Sequence, residues 1–100
     1  MAFEVWFKDD SLDRLERDAK YDAGYSRAVV KAFRRRLEYI RAATDERDFY
    51  VMKSLRFEKL KGDRANQHSM RLNDQWRLIL EITIEGSIKK LSIIGIEDYH

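Results

Sequence analysis

The spacing of the apolar residues changes once along this chain, and that change most narrows what it can fold into. In the first half, Val30, Phe33, Leu37 and Ile40 recur at intervals of three and four, the spacing of one helix face. In the second half the interval becomes two. Met70 and Leu72 alternate with Arg71 and Asn73. Trp76, Leu78, Leu80, Ile82 and Ile84 alternate with Arg77, Ile79, Glu81 and Thr83. Leu91, Ile93 and Gly95 alternate with Ser92, Ile94 and Ile96. Three such runs read as strands. Asn73-Asp74 and Glu85-Gly86-Ser87 supply turns short enough to pair them antiparallel.

Local signals fill in the rest. Phe3-Glu4-Val5-Trp6-Phe7 is aromatic and β-branched and predicts a short strand. Asp9-Asp10-Ser11 offers N-cap side chains to a helix carrying Leu12, Leu15 and Ala19 on one face, with Gly24 as its stop. Ser26 caps the next helix, whose wet side carries Lys31, Arg34 and Arg35. The order predicts an α+β domain over residues 1–100. An N-terminal strand and a two-helix hairpin pack on a twisted, mainly antiparallel sheet. Trp76 shares parity with Leu78 and Leu80 and is expected in the core. Ile94 and Ile96, on the second face beside Ile79, require that face to be partly covered or to meet a partner.

Composition removes whole classes of function. With no cysteine, disulfide scaffolds, thiolate metal sites and cysteine nucleophiles are excluded. No apolar run approaches the roughly 20 residues of a membrane span. The opening residues lack the basic and apolar regions of a secretory signal, so a cytoplasmic location is expected. The formal net charge of +2 conceals segregation. Residues 27–41 carry six basic and one acidic side chain, and residues 53–77 seven basic and three acidic. These two basic segments are separated by acidic ones. A local surface for a polyanion or an acidic partner is one reading and a solvated helix face the other.

Three places can carry chemistry. Asp98-Tyr99-His100 sets a carboxylate two residues from an imidazole, the group best suited to proton transfer near neutral pH. The plain alternative is a frayed terminus. A second cluster runs from Lys59 through Lys61, Gly62 and Arg64 to Arg71, Asn73 and Arg77. There guanidinium forks can grip a phosphate, or pair across strands with Glu81 and Glu97. His68, before the first of the three strands, is either a second proton carrier or a structural residue. Neither a P-loop, a dinucleotide fingerprint nor metal-ligand spacing is present, so no cofactor and no metal are expected.

Phe57-Glu58-Lys59-Leu60-Lys61-Gly62-Asp63-Arg64, Ser69-Met70-Arg71-Leu72-Asn73-Asp74-Gln75-Trp76-Arg77 and Ile96-Glu97-Asp98-Tyr99-His100, in that order, resemble the HigB toxins of the RelE/ParE superfamily. The resemblance implies a RelE-like fold similar in outline to microbial ribonucleases. It implies an mRNA endonuclease that works in the ribosomal A site without a metal. It also implies neutralisation by a HigA-like helix-turn-helix antitoxin, operator DNA being bound only through that complex, and no membrane. By the same resemblance, His100 and Asp98 match the C-terminal catalytic pair, Tyr99 a tyrosine that touches the substrate nucleotide, and Arg77 an arginine at the scissile phosphate. Lys59, Lys61, Arg64, Arg71 and Asn73 are then RNA-binding. Some members carry histidine two residues before the leucine of the LKG motif, where this chain has Glu58. The proline-containing loop common nearby is also absent.

In-line attack by a 2′-hydroxyl needs a base, charge on the non-bridging oxygens and an acid for the leaving oxygen. Asp98 or Glu58 is the expected base, Arg77 with Lys61 or Arg64 the charge, and His100 the acid. The basic helix face of Arg27, Lys31, Arg34, Arg35 and Arg36 is expected to dock on ribosomal RNA. The alternatives are a ParE-like inhibitor of DNA gyrase and a non-enzymatic regulatory subunit that binds a partner.

Overall fold

A computed structural model describes residues 3–98. The elements run β1 (Glu4–Phe7), α1 (Asp10–Arg17), α2 (Arg27–Ala42), α3 (Arg47–Val51), β2 (Glu58–Lys59), β3 (Gln67–Arg71), β4 (Trp76–Glu85) and β5 (Ile88–Asp98). Single 3-10 turns lie at Lys53–Leu55 and Gly62–Arg64. The five strands form one sheet in the order β1-β5-β4-β3-β2, parallel between β1 and β5 and antiparallel elsewhere. This is the expected α+β class.

Helices α1 and α2 start where their caps are. The Asp9 carboxylate accepts from the Leu12 amide, and the Ser26 hydroxyl accepts from the Val29 amide. Asp10 and Asp13 in the first turn of α1, with Arg14 and Arg17 in its last, match the helix dipole. The end of α1 departs from expectation. It stops at Arg17 rather than Gly24, leaving Ala19 exposed outside the helix. The cause is the pair of aspartates that follow. Asp18 turns its carboxylate to the Lys20 amide and Asp22 to the Gly24 amide, so side chains take the donors that a further turn would have used. Gly24 instead serves this loop, at φ +85°.

The core lies between the helices and one face of the sheet. Leu15, Val30, Phe33, Leu37 and Ile40 meet Met70, Leu72, Leu78, Leu80, Leu91 and Ile93, all buried. At about 1.5–3 kcal/mol for each large side chain, this contact is the main stabilising term. The segment after α2 adds a wing not foreseen as helical. In it Phe49 stacks on Phe3 at 5.5 Å between ring centroids and tilts against Phe57 at 5.2 Å. Trp76 is half-buried against the core, edge-on to Tyr25.

One irregularity decides which residues face outward. Between β4 and β5, Ile79 pairs with Gly95 and Leu80 with Ile93, so Ile94 is an extra residue on β5. The bulge reverses the parity of everything after it. Ile96 falls opposite Leu78 and packs against the core, not on the outer face where simple alternation put it. Gly95 and Glu97 take that face, opposite Ile79 and Arg77. Ile79 is nonetheless only 3% exposed, in a cleft that Leu60 and Arg64 help to line, so the second face is partly covered.

Candidate nucleic-acid cleft

The outer face of the sheet holds a cleft of about 230 Å³ lined by residues from four strands and the loop after β2. Strand β4 supplies Arg77 and Ile79, β3 the buried Ser69, β5 Glu97 and Asp98, and β2 Glu58. Their convergence follows from register. Glu58 pairs with Ser69, Ser69 with Ile79, and Arg77 with both Arg71 and Glu97. Leu60 and Arg64 reach in from the loop.

The charges in the cleft are organised around one ion pair. Arg64 makes two contacts to the Glu97 carboxylate, at 3.0 and 2.7 Å, and its Nε donates to Gln67 Oε1 at 3.1 Å. The hydrogen bond to Glu97 raises the pKa of Arg64 further above the ordinary arginine value. Arg77 is half-buried beside this pair, and Glu58 is exposed on the opposite wall. Asp98, exposed at the end of β5, accepts from Gln75 Nε2 at 3.2 Å. Guanidinium groups and carboxylates therefore share one small concave site, where an anion can be gripped next to a group able to take a proton.

Of the residues singled out from sequence, Glu58, Arg64, Arg77 and Asp98 meet in this cleft. Tyr99 and His100 lie outside the described residues. Arg71 stands directly across from Arg77 but is paired with Asp74. The remaining members of the basic cluster do not line the cleft. Lys61 is exposed where the chain enters the Gly62–Arg64 turn, and Lys59 pairs with His68 in the ladder. Asn73 is spent on its own turn, accepting from the Gln75 and Trp76 amides at 2.9 and 2.8 Å. His68 lies within β3, not before it. Its ring is stacked on Phe57 at 4.7 Å with 3° between planes, and its Nδ1 is buried with no hydrogen-bond partner among the described residues. Burial is the first cause that lowers its pKa below the ordinary histidine value, followed by the opposing pull of Glu46 and the push of Lys59. It reads as a structural residue.

Sequence reasoning missed the Arg64–Glu97 pair. Cross-strand pairing sets Glu97 opposite Arg77, but nothing in the sequence brings in Arg64 from thirty-three residues away. The helical arginines also separate. Arg27, Lys31, Arg34 and Arg35 line a groove of about 560 Å³ between α2 and the loop after α1. Within it the Arg34 guanidinium donates to the carbonyls of Leu15, Asp18 and Tyr21 at 3.0, 2.8 and 3.2 Å. Arg34 is thus occupied in closing the C-terminal end of α1.

The fold places the chain in a known structural class. It superposes on a YoeB/ParE toxin from Agrobacterium tumefaciens with a TM-score of 0.60 at 20% identity, covering 98% of this chain and 100% of that one. It superposes on a YoeB–YefM complex from Staphylococcus aureus at 0.58 and 21% identity, covering 100% and 99%. Sequence narrows the class. The chain is 36% identical over 81 residues to Toxin HigB-1 of Vibrio cholerae serotype O1, covering 81% of this chain and 83% of that protein. Residues 5–100 match the family described as the RelE-like toxin of type II toxin-antitoxin system HigB, and the chain belongs to this HigB-like toxin family. No helix among the described residues is long and apolar enough to cross a membrane.

Proposed function

We propose that this toxin is a ribosome-dependent mRNA endonuclease that cleaves message in the A site by attack of a ribose 2′-hydroxyl on the adjoining phosphate. The observation that supports this most directly is the half-buried Arg77 in a cleft that also holds Glu58, Glu97 and Asp98. In the reaction Asp98 or Glu58 takes the 2′-hydroxyl proton as the 2′-oxygen bonds to phosphorus. Arg77, joined by Arg64, stabilises the charge gathering on the non-bridging oxygens. The bond to the 5′-oxygen breaks, and His100 supplies the proton that this oxygen needs. The products carry a 2′,3′-cyclic phosphate and a 5′-hydroxyl. Tyr99 contacts the substrate nucleotide, and no metal enters the scheme. The partner that restrains the toxin is a HigA-like helix-turn-helix antitoxin, which also carries it to operator DNA, and the setting is the cytoplasm.

The test is induced expression of the wild-type chain beside His100→Ala, with RNA 5′ ends mapped in the presence and absence of a translation block. Cuts inside coding frames that vanish when translation stops and need His100 are expected. Arrested growth with intact message and damaged DNA would transfer the assignment to gyrase. Absence of arrest would leave a regulatory binding subunit.

A further inference from the structure

We infer that single-stranded RNA leaves the cleft in one direction, along a track of arginines that runs from Arg77 over Arg71 to Arg36 and Arg35 on α2. The inference rests on the nuclease reading and adds to it a second stretch of substrate contact. Arg71 lies directly opposite Arg77 in the β3–β4 ladder, which places their Cβ atoms about 4.5–5.5 Å apart. The Arg36 Nε then donates to the Arg71 carbonyl at 2.9 Å and ties α2 to the end of β3. Arg35 and Arg36 both line a groove of about 470 Å³ whose other walls are Tyr39, Met52, Leu55 and Glu38. Arg71 thus stands between Arg77 in the cleft and Arg36 in this groove.

Three features mark the path as made for a polyanion. Arg36 is half-buried, and burial together with the like charges of Arg35 and Arg71 lowers its pKa below the ordinary arginine value. A guanidinium held in place by a carbonyl, against two positive neighbours, is relieved when a phosphate arrives. Among the described residues the Arg71 guanidinium is held only by Asp74, a carboxylate that is 96% exposed, and such a surface pair exchanges readily for a phosphate. The groove also combines cations with an aromatic ring and an apolar floor, the arrangement on which unpaired bases stack. The opposite direction is less hospitable. There the outer face of the sheet leads past Glu81 to Trp6, whose ring is already covered by the Lys90 ammonium at 4.7 Å and whose Nε1 donates to Glu4.

The test compares two uncleavable 2′-O-methyl RNAs, three and twelve nucleotides long, binding to the full chain by fluorescence anisotropy across a salt series. The wild type is expected to bind the longer RNA more tightly and with a steeper salt dependence. Arg35→Gln and Arg36→Gln should each flatten that slope by about 0.7, and together by about 1.4, without changing the affinity for the trinucleotide. Arg36→Lys should restore most of the slope. Arg35 is exposed and makes no hydrogen bond or ion pair among the described residues, so its variant separates binding from folding. Equal slopes for the two RNAs, or variants that weaken both probes alike, would overturn the track while leaving the cleft assignment intact. So would variants that lose only ribosome binding or only antitoxin binding. Failure of the nuclease reading has its own signature, a trinucleotide whose binding is indifferent to Arg77→Ala.

Discussion

Arg34 sits in the middle of the basic helix, yet its contacts give it a different task from its neighbour Arg35, and one substitution separates the two. Arg34→Met keeps the aliphatic stem and removes the three donations to the carbonyls of Leu15, Asp18 and Tyr21. Hydrogen bonds to a charged group are worth about 1.5–3 kcal/mol each. The site is half-buried, so the released carbonyls regain some water, and the three contacts do not add in full. A loss of about 2–4 kcal/mol is expected, a large part of the roughly 5–15 kcal/mol of a domain this size. In thermal unfolding it corresponds to a fall in Tm of about 10–25 °C. Arg35→Gln, one residue along and exposed, should stay within about 0.5 kcal/mol of the wild type. The assay is urea unfolding followed by far-UV circular dichroism. Unchanged m-values would show that the same transition is being compared. If Arg34→Met unfolds within 0.5 kcal/mol of the wild type, the guanidinium does not close α1 and belongs instead to the docking surface.

Two further substitutions test the cleft and its margin. Glu97→Gln removes the partner of Arg64 and one negative charge from the site, so an uncleavable trinucleotide should bind more tightly, with a salt slope steeper by about 0.7. Weaker binding would mean that Glu97 holds Arg64 where the substrate needs it. For His68, burial favours the neutral ring in the folded state, so the unfolded chain binds more protons as pH falls through about 6.5. Its contribution is complete above that pH and is lost below it. His68→Gln should therefore flatten the fall in urea stability between neutral and mildly acid pH, and an unchanged profile would refute the burial argument.

The sequence carried those parts of the fold that depend on neighbours a few residues apart. The caps at Asp9 and Ser26, the turn at Asn73-Asp74, the turn around Gly86 and the buried stripe of α2 all follow from local chemistry. The β1–β5 pairing, the two-residue strand β2 and the helical wing at 47–51 depend on what lies across the fold, and the sequence shows only that their residues are compatible. The extra residue at Ile94 is the clearest case. Val, Ile and Leu alternate in the same way with or without a bulge, so the side taken by Ile96 and Glu97 is decided by packing. Arg64, Arg77 and Asp98 are singled out because a phosphate and a proton call for such groups, Glu58 because of the position it fills in the HigB resemblance, and the fold brings all four to one cleft. The ion pair between Arg64 and Glu97 was not legible, because it joins a loop to a strand.

The parallel pairing of β1 with β5 also orders events during synthesis. Glu4 to Phe7 pair with Lys90 to Ile93, so β1 waits for a strand more than eighty residues further along the chain. Strand β5 also completes the ladder of β4, and it stands between the two in the sheet. Contacts of such long sequence separation form late, because the loop they close must be ordered first. The helices and the β3–β4 hairpin can gather before β5 brings the cleft wall that bears Glu97 and Asp98. A nascent chain therefore has no assembled cleft until β5 has emerged and paired with β4.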